Sequence, residues 1–273
     1  MKQMIIIILA FAFLASCKDK ATNPIVLSEP LAPYSGINLK FDYYEIDENN
    51  NPFESSNPNN RNCYISINQI NNLDDKPTWE YKYINSQNQE KGREYFSFDT
   101  TNQKIYMHSN FIDSLNSMVT QKFGEDSLPM KIENKWFTIA DYKSDNWTIY
   151  EKDFANYPCF FQPDHRSFWM NIMKGKFTVQ CSKLAEEKVS IGSKEITATP
   201  FLLEEKLDAT YMSLDNSDNG PFTVDIKIKI YFAHNYGMIK RILYNIPMTL
   251  GNTAPTISGI CIQPKNITFF TTE

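Results

Sequence analysis

Apolar and polar residues alternate along much of the chain with the two-residue period of β-strands. In the clearest case, Phe222, Val224, Ile226, Ile228, Ile230 and Phe232 share one face, while the residues between them are polar or amphipathic. Residues 37–43 alternate in the same way. This pattern is typical of an antiparallel sheet that buries one face and exposes the other to water.

The same reasoning predicts most of the remaining strands from apolar runs bounded by turn residues. These lie at residues 63–70, 79–84, 95–99, 104–108, 136–142, 147–150, 177–184, 189–191, 196–199 and 238–246. Polar turns at residues 100–103, 192–193 and 234–237 predict three hairpins, and residues 47–62, rich in Asn, Ser and Pro, predict a long surface loop.

One segment has helical spacing. Phe111, Leu115, Met118 and Val119 recur at intervals of three or four residues, and Gly124 follows as a stop signal, so we expect a helix over residues 111–123. Helical segments do not alternate with strands elsewhere, which disfavours a layered α/β fold. The predicted fold is therefore mainly β: a curved antiparallel sheet forming an open or half barrel, with one or two short helices, in one or two subdomains.

The N-terminus has the pattern of a bacterial lipoprotein. Lys2 precedes an apolar run over residues 4–14, which is too short to span a bilayer and fits the core of a signal peptide. The tetrapeptide at residues 14–17, Leu-Ala-Ser-Cys, resembles the lipobox, in which the cysteine thiol is acylated before cleavage. We expect residues 1–16 to be removed and Cys17 to carry fatty acyl chains such as palmitate.

The remaining chain divides into two parts. Residues 17–33 contain Pro24, Pro30 and Pro33 without a periodic apolar pattern, so they predict a lipidated, extended tether. Residues 34–273 form the predicted β-rich globular domain. Because no Asp directly follows Cys17, we expect anchoring at the outer membrane, facing either the periplasm or the cell surface.

Charge limits the partners. The net charge is -5 and no cluster of Lys or Arg occurs, so the chain offers no basic field for nucleic acid. The expected partners are the membrane, through the acyl chains on Cys17, and a hydrophobic ligand.

Four cysteines remain after Cys17, namely Cys63, Cys159, Cys181 and Cys261. Outside the cytoplasm they could form two disulfides, with three possible connectivities. Cys181 and Cys261 also stand among apolar residues, as buried free thiols do, so both interpretations stay open.

Candidate chemistry is sparse. His108, His165 and His234 lack the spacing of a zinc site, and residues 215–220 begin like a calcium loop but place Ile226 where a bidentate Glu is needed. Asp164 and His165 could be half of a catalytic pair, but no nucleophile motif accompanies them. We therefore predict no cofactor, no metal and no catalytic residue.

A resemblance to a known group of proteins rests on several features of the second half of the chain. They are the stretch Ile139-Ala140-Asp141-Tyr142, the later Trp147, the predicted hairpin over residues 189–199 and two motifs of the next predicted hairpin. The two motifs are Ile-Tyr-Phe-Ala at residues 230–233 and Tyr-Gly-Met-Ile-Lys at residues 236–240. Together they resemble uncharacterised Gram-negative lipoproteins with a LolA-like or LolB-like half barrel, over residues 135–245. The resemblance implies a concave apolar face that holds a lipid or acylated ligand.

Three functions follow as hypotheses. The first is a lipoprotein that shields a hydrophobic ligand in its half barrel, with the helix at residues 111–123 as a lid. The second is a surface module that binds a glycan or a protein through exposed aromatic side chains. The third and least favoured is a hydrolase near His165. The four Trp residues, Trp79, Trp136, Trp147 and Trp169, sit among apolar neighbours and are expected in the core.

Overall fold

The computed structural model describes residues 31–47, 49–53, 61–108, 136–161, 168–213, 219–254 and 256–269, with the backbone alone for residues 154, 157–161, 168–170 and 257. Within these ranges every regular element is a strand, and no helix occurs. The helix predicted over residues 111–123 lies outside the described residues.

Sixteen strands occupy the described ranges, and every pair of neighbouring strands is antiparallel. In the first half they are β1 (Ile37–Ile46), β2 (Pro52–Phe53), β3 (Cys63–Leu73), β4 (Lys76–Ile84), β5 (Glu90–Asp99), β6 (Lys104–His108) and β7 (Trp136–Asp141). In the second half they are β8 (Asn146–Phe161), β9 (Phe168–Lys183), β10 (Glu187–Ile191), β11 (Lys194–Ser213), β12 (Asn219–Ala233), β13 (Gly237–Leu243), β14 (Ile246–Leu250), β15 (Thr256–Ile257) and β16 (Ile260–Phe269).

The fold class predicted from the alternation pattern is confirmed, and so are the three hairpins. The strand lengths were underestimated. The segment predicted as residues 196–199 is the start of the 20-residue β11, and the loop predicted at residues 47–62 contains the short strand β2. Pro200 is accommodated inside β11 because β9 begins to pair one residue later, at Phe201, and the carbonyl of Pro200 accepts a hydrogen bond from the Leu184 amide.

The sheet follows the order β7-β6-β5-β4-β3-β1-β16-β13-β12-β11-β9-β8 and is nearly closed into a barrel. The N-terminal and C-terminal strands β1 and β16 pair in its middle, while its two edges, β7 and β8, are consecutive in the chain. The predicted curved antiparallel sheet, an open or half barrel, is confirmed as a sheet that nearly closes.

Side chains hold the two edges together. The indole of Trp147 donates to the Thr138 carbonyl at 3.0 Å, and the Cys181 thiol donates to the Ile139 carbonyl at 3.2 Å. The ammonium of Lys183 reaches the Tyr142 carbonyl at 2.9 Å. The first two bonds satisfy backbone acceptors of β7, and the third satisfies the carbonyl of Tyr142 just after it, which a neighbouring strand would otherwise pair.

The hairpin of β10 and β11 bends over the outer face of β12. The Lys229 ammonium, which points outward from β12, lies 2.6 Å from the Glu187 carboxylate of β10. Val189, Ile191 and the outward-facing Tyr231 are buried beneath the hairpin. The sheet therefore has a small apolar layer outside the barrel in addition to the main core inside it.

The globular body begins earlier than the predicted boundary at residue 34. Leu31 is only 2% exposed and packs into the core, and the carbonyl of Pro33 accepts a hydrogen bond from the Trp79 indole at 3.1 Å. The last residues assigned to the tether are thus part of the folded body.

We predict that Gly237→Ala destabilises the fold by about 2–4 kcal/mol, because Gly237 has a φ of 70° and an added Cβ would collide with the Tyr81 hydroxyl. That hydroxyl accepts a hydrogen bond from the Met238 amide at 3.2 Å, across the barrel. Urea denaturation measures the effect.

Gly92→Ala is the matched control, since a Cβ at Gly92 meets nothing within 4 Å. We expect the control to stay within about 1 kcal/mol of the unsubstituted chain. Equal midpoints for the two variants would contradict the close approach at Gly237.

Candidate functional site

Aromatic side chains fill the barrel interior between β5 and β12. Phe96 and Phe98 of β5 lie 6.2 and 6.4 Å from Phe232 of β12, measured between ring centroids. Phe201 of β11 lies 6.2 Å from the same ring. These spacings are those of rings in direct contact, and all four side chains are buried. An acyl chain has no space between them.

A charged pair bridges the same interior. Glu94 shares the inward face of β5 with Phe96 and Phe98, and Arg241 is paired with the buried Ile230 of β12. The two guanidinium nitrogens Nη1 and Nη2 lie 2.7 and 2.6 Å from the two carboxylate oxygens of Glu94. The Tyr83 hydroxyl donates to Glu94 Oε2 at 2.5 Å. This two-pronged geometry fixes the distance between β5 and β13, which are not neighbours in the sheet.

The environment of this pair decides its charge state. Burial alone would raise the pKa of Glu94, but the Arg241 guanidinium and the Tyr83 hydroxyl hold it below its ordinary value. Burial raises the pKa of Tyr83 well above its usual range. Glu94 is therefore a carboxylate and Tyr83 a neutral donor at neutral pH, an arrangement that stabilises structure and leaves no group poised to exchange a proton.

No local sequence pattern predicted this pair. One feature of the sequence could have pointed to Glu94: it lies two and four residues before Phe96 and Phe98, so in a strand it shares their inward, apolar face. Its partner stands 147 residues away in the chain, so only the closed sheet brings the two together.

The three histidines considered in the sequence have different surroundings. Asp164 and His165 lie outside the described residues. His234 stacks near Tyr142, with ring centroids 5.9 Å apart. His108, whose side chain is 3% exposed, places Nε2 at 2.8 Å from Asp74 Oδ2 at the turn between β3 and β4, a hydrogen-bond contact that no local sequence pattern predicted.

The cysteines are described for three positions. Cys63, Cys181 and Cys261 are buried, and no disulfide joins these three to one another. Burial raises the pKa of each thiol, which makes all three poor nucleophiles. The side chain of Cys159 lies outside the described residues.

No metal site occurs in the part of the chain that the structure describes: no three His, Cys, Asp or Glu side chains cluster there. Of the predicted calcium-like loop, residues 215–218 are not described. Asn219 and Gly220 begin β12, the strand that the alternation over residues 222–232 predicted.

The tryptophans serve as core residues. Trp79 and Trp136 are buried, and their indole nitrogens donate to the Pro33 and Leu73 carbonyls at 3.1 and 3.2 Å. Trp147 is partly buried and packs against the core. The side chain of Trp169 is not described. The expected core position is confirmed for Trp79 and Trp136, and these three residues form no exposed aromatic platform.

An open depression of about 400 Å³ lies on the outer face of the sheet. Its apolar wall includes Leu184, Leu202 and Tyr244, and its polar wall includes Asp225 and Lys227. The volume is within the range of small-ligand sites. The depression lies on the opposite face of the sheet from the aromatic interior.

The charges around this depression neutralise one another. The Lys227 ammonium lies 3.3 Å from Glu204 and 4.0 Å from Asp225, and the Lys229 ammonium is paired with Glu187. Burial disfavours the charged form of Glu187, but Lys229 holds the pKa of this carboxyl below its ordinary value. With each ammonium already matched by a carboxylate, the depression favours a neutral polar ligand over an anion.

No family model matches the chain, and no curated protein matches it. Two solved structures are similar. One, from Parabacteroides distasonis, is described as a "putative lipoprotein"; it is 8% identical, with a TM-score of 0.41 over 88% of this chain and 99% of the other. The second, from Bacteroides fragilis, is described as a "putative exported protein with YmcC-like fold"; it is 10% identical, with a TM-score of 0.35 over 89% of this chain and 100% of the other. Both TM-scores are low, so the fold is assigned from strand order and register alone.

Within the described ranges, no helix is long and apolar enough to cross a membrane.

We predict that Glu94→Gln lowers the free energy of unfolding at neutral pH by about 2 kcal/mol, because it leaves the Arg241 charge without its counterion. Since the folded-state pKa of Glu94 lies below its ordinary value of 4.5, the carboxylate stabilises the fold above that value. The contribution is lost as the pH falls through the folded-state pKa. Urea denaturation at a series of pH values should show the variant and the unsubstituted chain converging in acid.

Glu90→Gln is the control, because Glu90 forms an exposed ion pair with Arg93 at 2.6 Å and exposed pairs contribute little. A Glu94→Gln variant as stable as this control at neutral pH would show that the interior pair does not stabilise the barrel.

Proposed function

We propose that this chain is an outer-membrane lipoprotein, held by acyl chains on Cys17, that acts as a non-enzymatic binding module through the outer face of its barrel. The lipobox-like tetrapeptide at residues 14–17 and the short apolar run before it support the anchor. Leu31 is part of the folded body, and we propose that residues between Cys17 and Leu31 connect the lipid to it.

The packed interior of the barrel is the main support for binding at the outer face. Lipid carriage needs an apolar cavity, but Phe96, Phe98, Phe201 and Phe232 occupy the barrel between β5 and β12. The described interior therefore favours the surface-module hypothesis over acyl-chain carriage. The open depression beside Tyr244 is an alternative place for a ligand to bind.

A short neutral glycan is the ligand class that we propose for this depression. Leu202 and Tyr244 offer apolar area for a sugar ring. Oδ1 of Asp225 is buried, so Oδ2, which lies 4.0 Å from the Lys227 ammonium on a side chain that is 35% exposed, is the acceptor offered to a sugar hydroxyl. The mutually paired charges give no advantage to an anionic ligand.

The absence of enzymatic activity is part of the proposal. His108 uses Nε2 to contact Asp74, and its buried Nδ1 has no hydrogen-bond partner among the described residues. Neither nitrogen therefore contacts a Ser or Cys, as nucleophilic catalysis requires.

Replacing the thiol tests the anchor. We expect cells grown with radiolabelled palmitate to label the unsubstituted chain and not Cys17→Ser, because acylation needs the sulfur. The serine variant should also leave the membrane fraction. Label that persists in Cys17→Ser, or that is missing from the unsubstituted chain, would overturn the anchor.

Glycan-array screening followed by calorimetry tests the binding site. We expect Asp225→Asn to weaken binding of the best glycan by about 10-fold, the effect of losing a hydrogen bond to a charged group. Asp153→Asn, an exposed carboxylate on β8, is the matched control and should bind like the unsubstituted chain. An array without binders, or equal losses in both variants, would contradict the proposal.

A further inference from the structure

Three aromatic rings meet at one end of the barrel. Tyr34, just before β1, lies 6.1 Å from Phe269 at the end of β16, and Tyr236, in the turn between β12 and β13, lies 6.4 Å from the same ring. We call these three residues the rim cluster. Tyr34 is 54% exposed and Phe269 52%; among the described residues, they are the large hydrophobic side chains that face solvent.

The backbone holds the rim cluster in place. The Tyr34 amide donates to the Asn235 carbonyl at 3.1 Å, which ties the start of β1 to the turn carrying Tyr236. Phe269 is in register with Ile37 of β1. The rings are therefore fixed on strand ends and a tight turn, and their exposure is a property of the folded barrel.

The predicted tether leaves the body beside this cluster. Leu31, three residues before Tyr34, is buried in the core, and the chain before it leads back to Cys17. If residues 17–30 form the flexible tether that the sequence predicts, its root-mean-square length is about 20 Å and its upper limit about 50 Å. Attachment at this end keeps the rim cluster near the membrane at a high effective concentration, so even a weak affinity for lipid is sufficient.

We propose that the rim cluster inserts into the interface of the membrane that holds the Cys17 acyl chains and so sets the barrel end-on to the bilayer. This inference rests on the proposed lipid anchor. Tyrosine is suited to the interface, because its ring lies among apolar groups while its hydroxyl stays with the headgroups and water. The outer-face depression, on the side of the barrel, stays open in this orientation.

The test uses the acylated full chain in vesicles of phosphatidylethanolamine that contain a bromine-labelled phospholipid. Bromine quenches tryptophan fluorescence on contact, so a tryptophan is introduced by Tyr34→Trp. The control is Tyr64→Trp, beside the turn between β4 and β5 at the opposite end of the barrel, where Tyr64 is hydrogen-bonded to Asn88. The four native tryptophans contribute equally to both variants and are subtracted with the unsubstituted chain.

We expect quenching of the added tryptophan in Tyr34→Trp to exceed that in Tyr64→Trp by about twofold or more, as for an interfacial side chain. The difference should persist at high salt, because apolar insertion is not screened. If Tyr34→Trp does not fold, Phe269→Trp reports on the same cluster.

Three other outcomes would contradict the proposal, and each has a different meaning. Equal quenching of both variants in palmitate-labelled protein overturns the membrane contact and leaves the anchor intact. Quenching that vanishes at high salt also overturns it, since electrostatic docking would then hold the barrel. A chain that carries no palmitate overturns both the anchor and the inference that rests on it.

Discussion

The structure depends on burying one apolar face of a long antiparallel sheet against itself. A sheet that stayed flat would expose the rings of Phe96 and Phe232 to water, whereas curvature brings β5 and β12 into contact. Burying one Phe side chain contributes about 1.5–3 kcal/mol before entropy is subtracted, and four such rings meet in this interior. That gain exceeds the net contribution of the Glu94–Arg241 pair, so ring packing drives closure and the ion pair sets its geometry.

Closure has a direct consequence for function. The side chains that close the barrel between β5 and β12 also occupy the volume that a carrier would keep for its ligand. The free surface of the molecule is consequently the outer face, where the hairpin of β10 and β11 bends over β12 and the open depression lies beside Tyr244. This is the reason that we propose a function at the outer surface of the barrel, as a binding module on a lipid anchor.

The strand order also bears on how the barrel would be oriented by the proposed lipid anchor. Since β1 and β16 pair in the middle of the sheet, the start of the body and the end of the last strand lie together at one end of the barrel. Tyr34 and Phe269 are brought into contact by this pairing, although 235 residues of chain separate them. Leu31, three residues before Tyr34, is therefore close in sequence to the end of the barrel that carries the exposed rings.

The sequence by itself determined the lipoprotein-like N-terminus, the antiparallel sheet and its hairpin turns, because these follow from local chemistry: an apolar run before a cysteine, a period of two, and turn residues at their positions. It underestimated β11, since Pro200 reads locally as a break. Only the tertiary structure decided how far the sheet closes and which side chains meet inside it. Glu94 and Arg241, or Asp74 and His108, are joined by register and curvature summed over many strands, which no local pattern encodes.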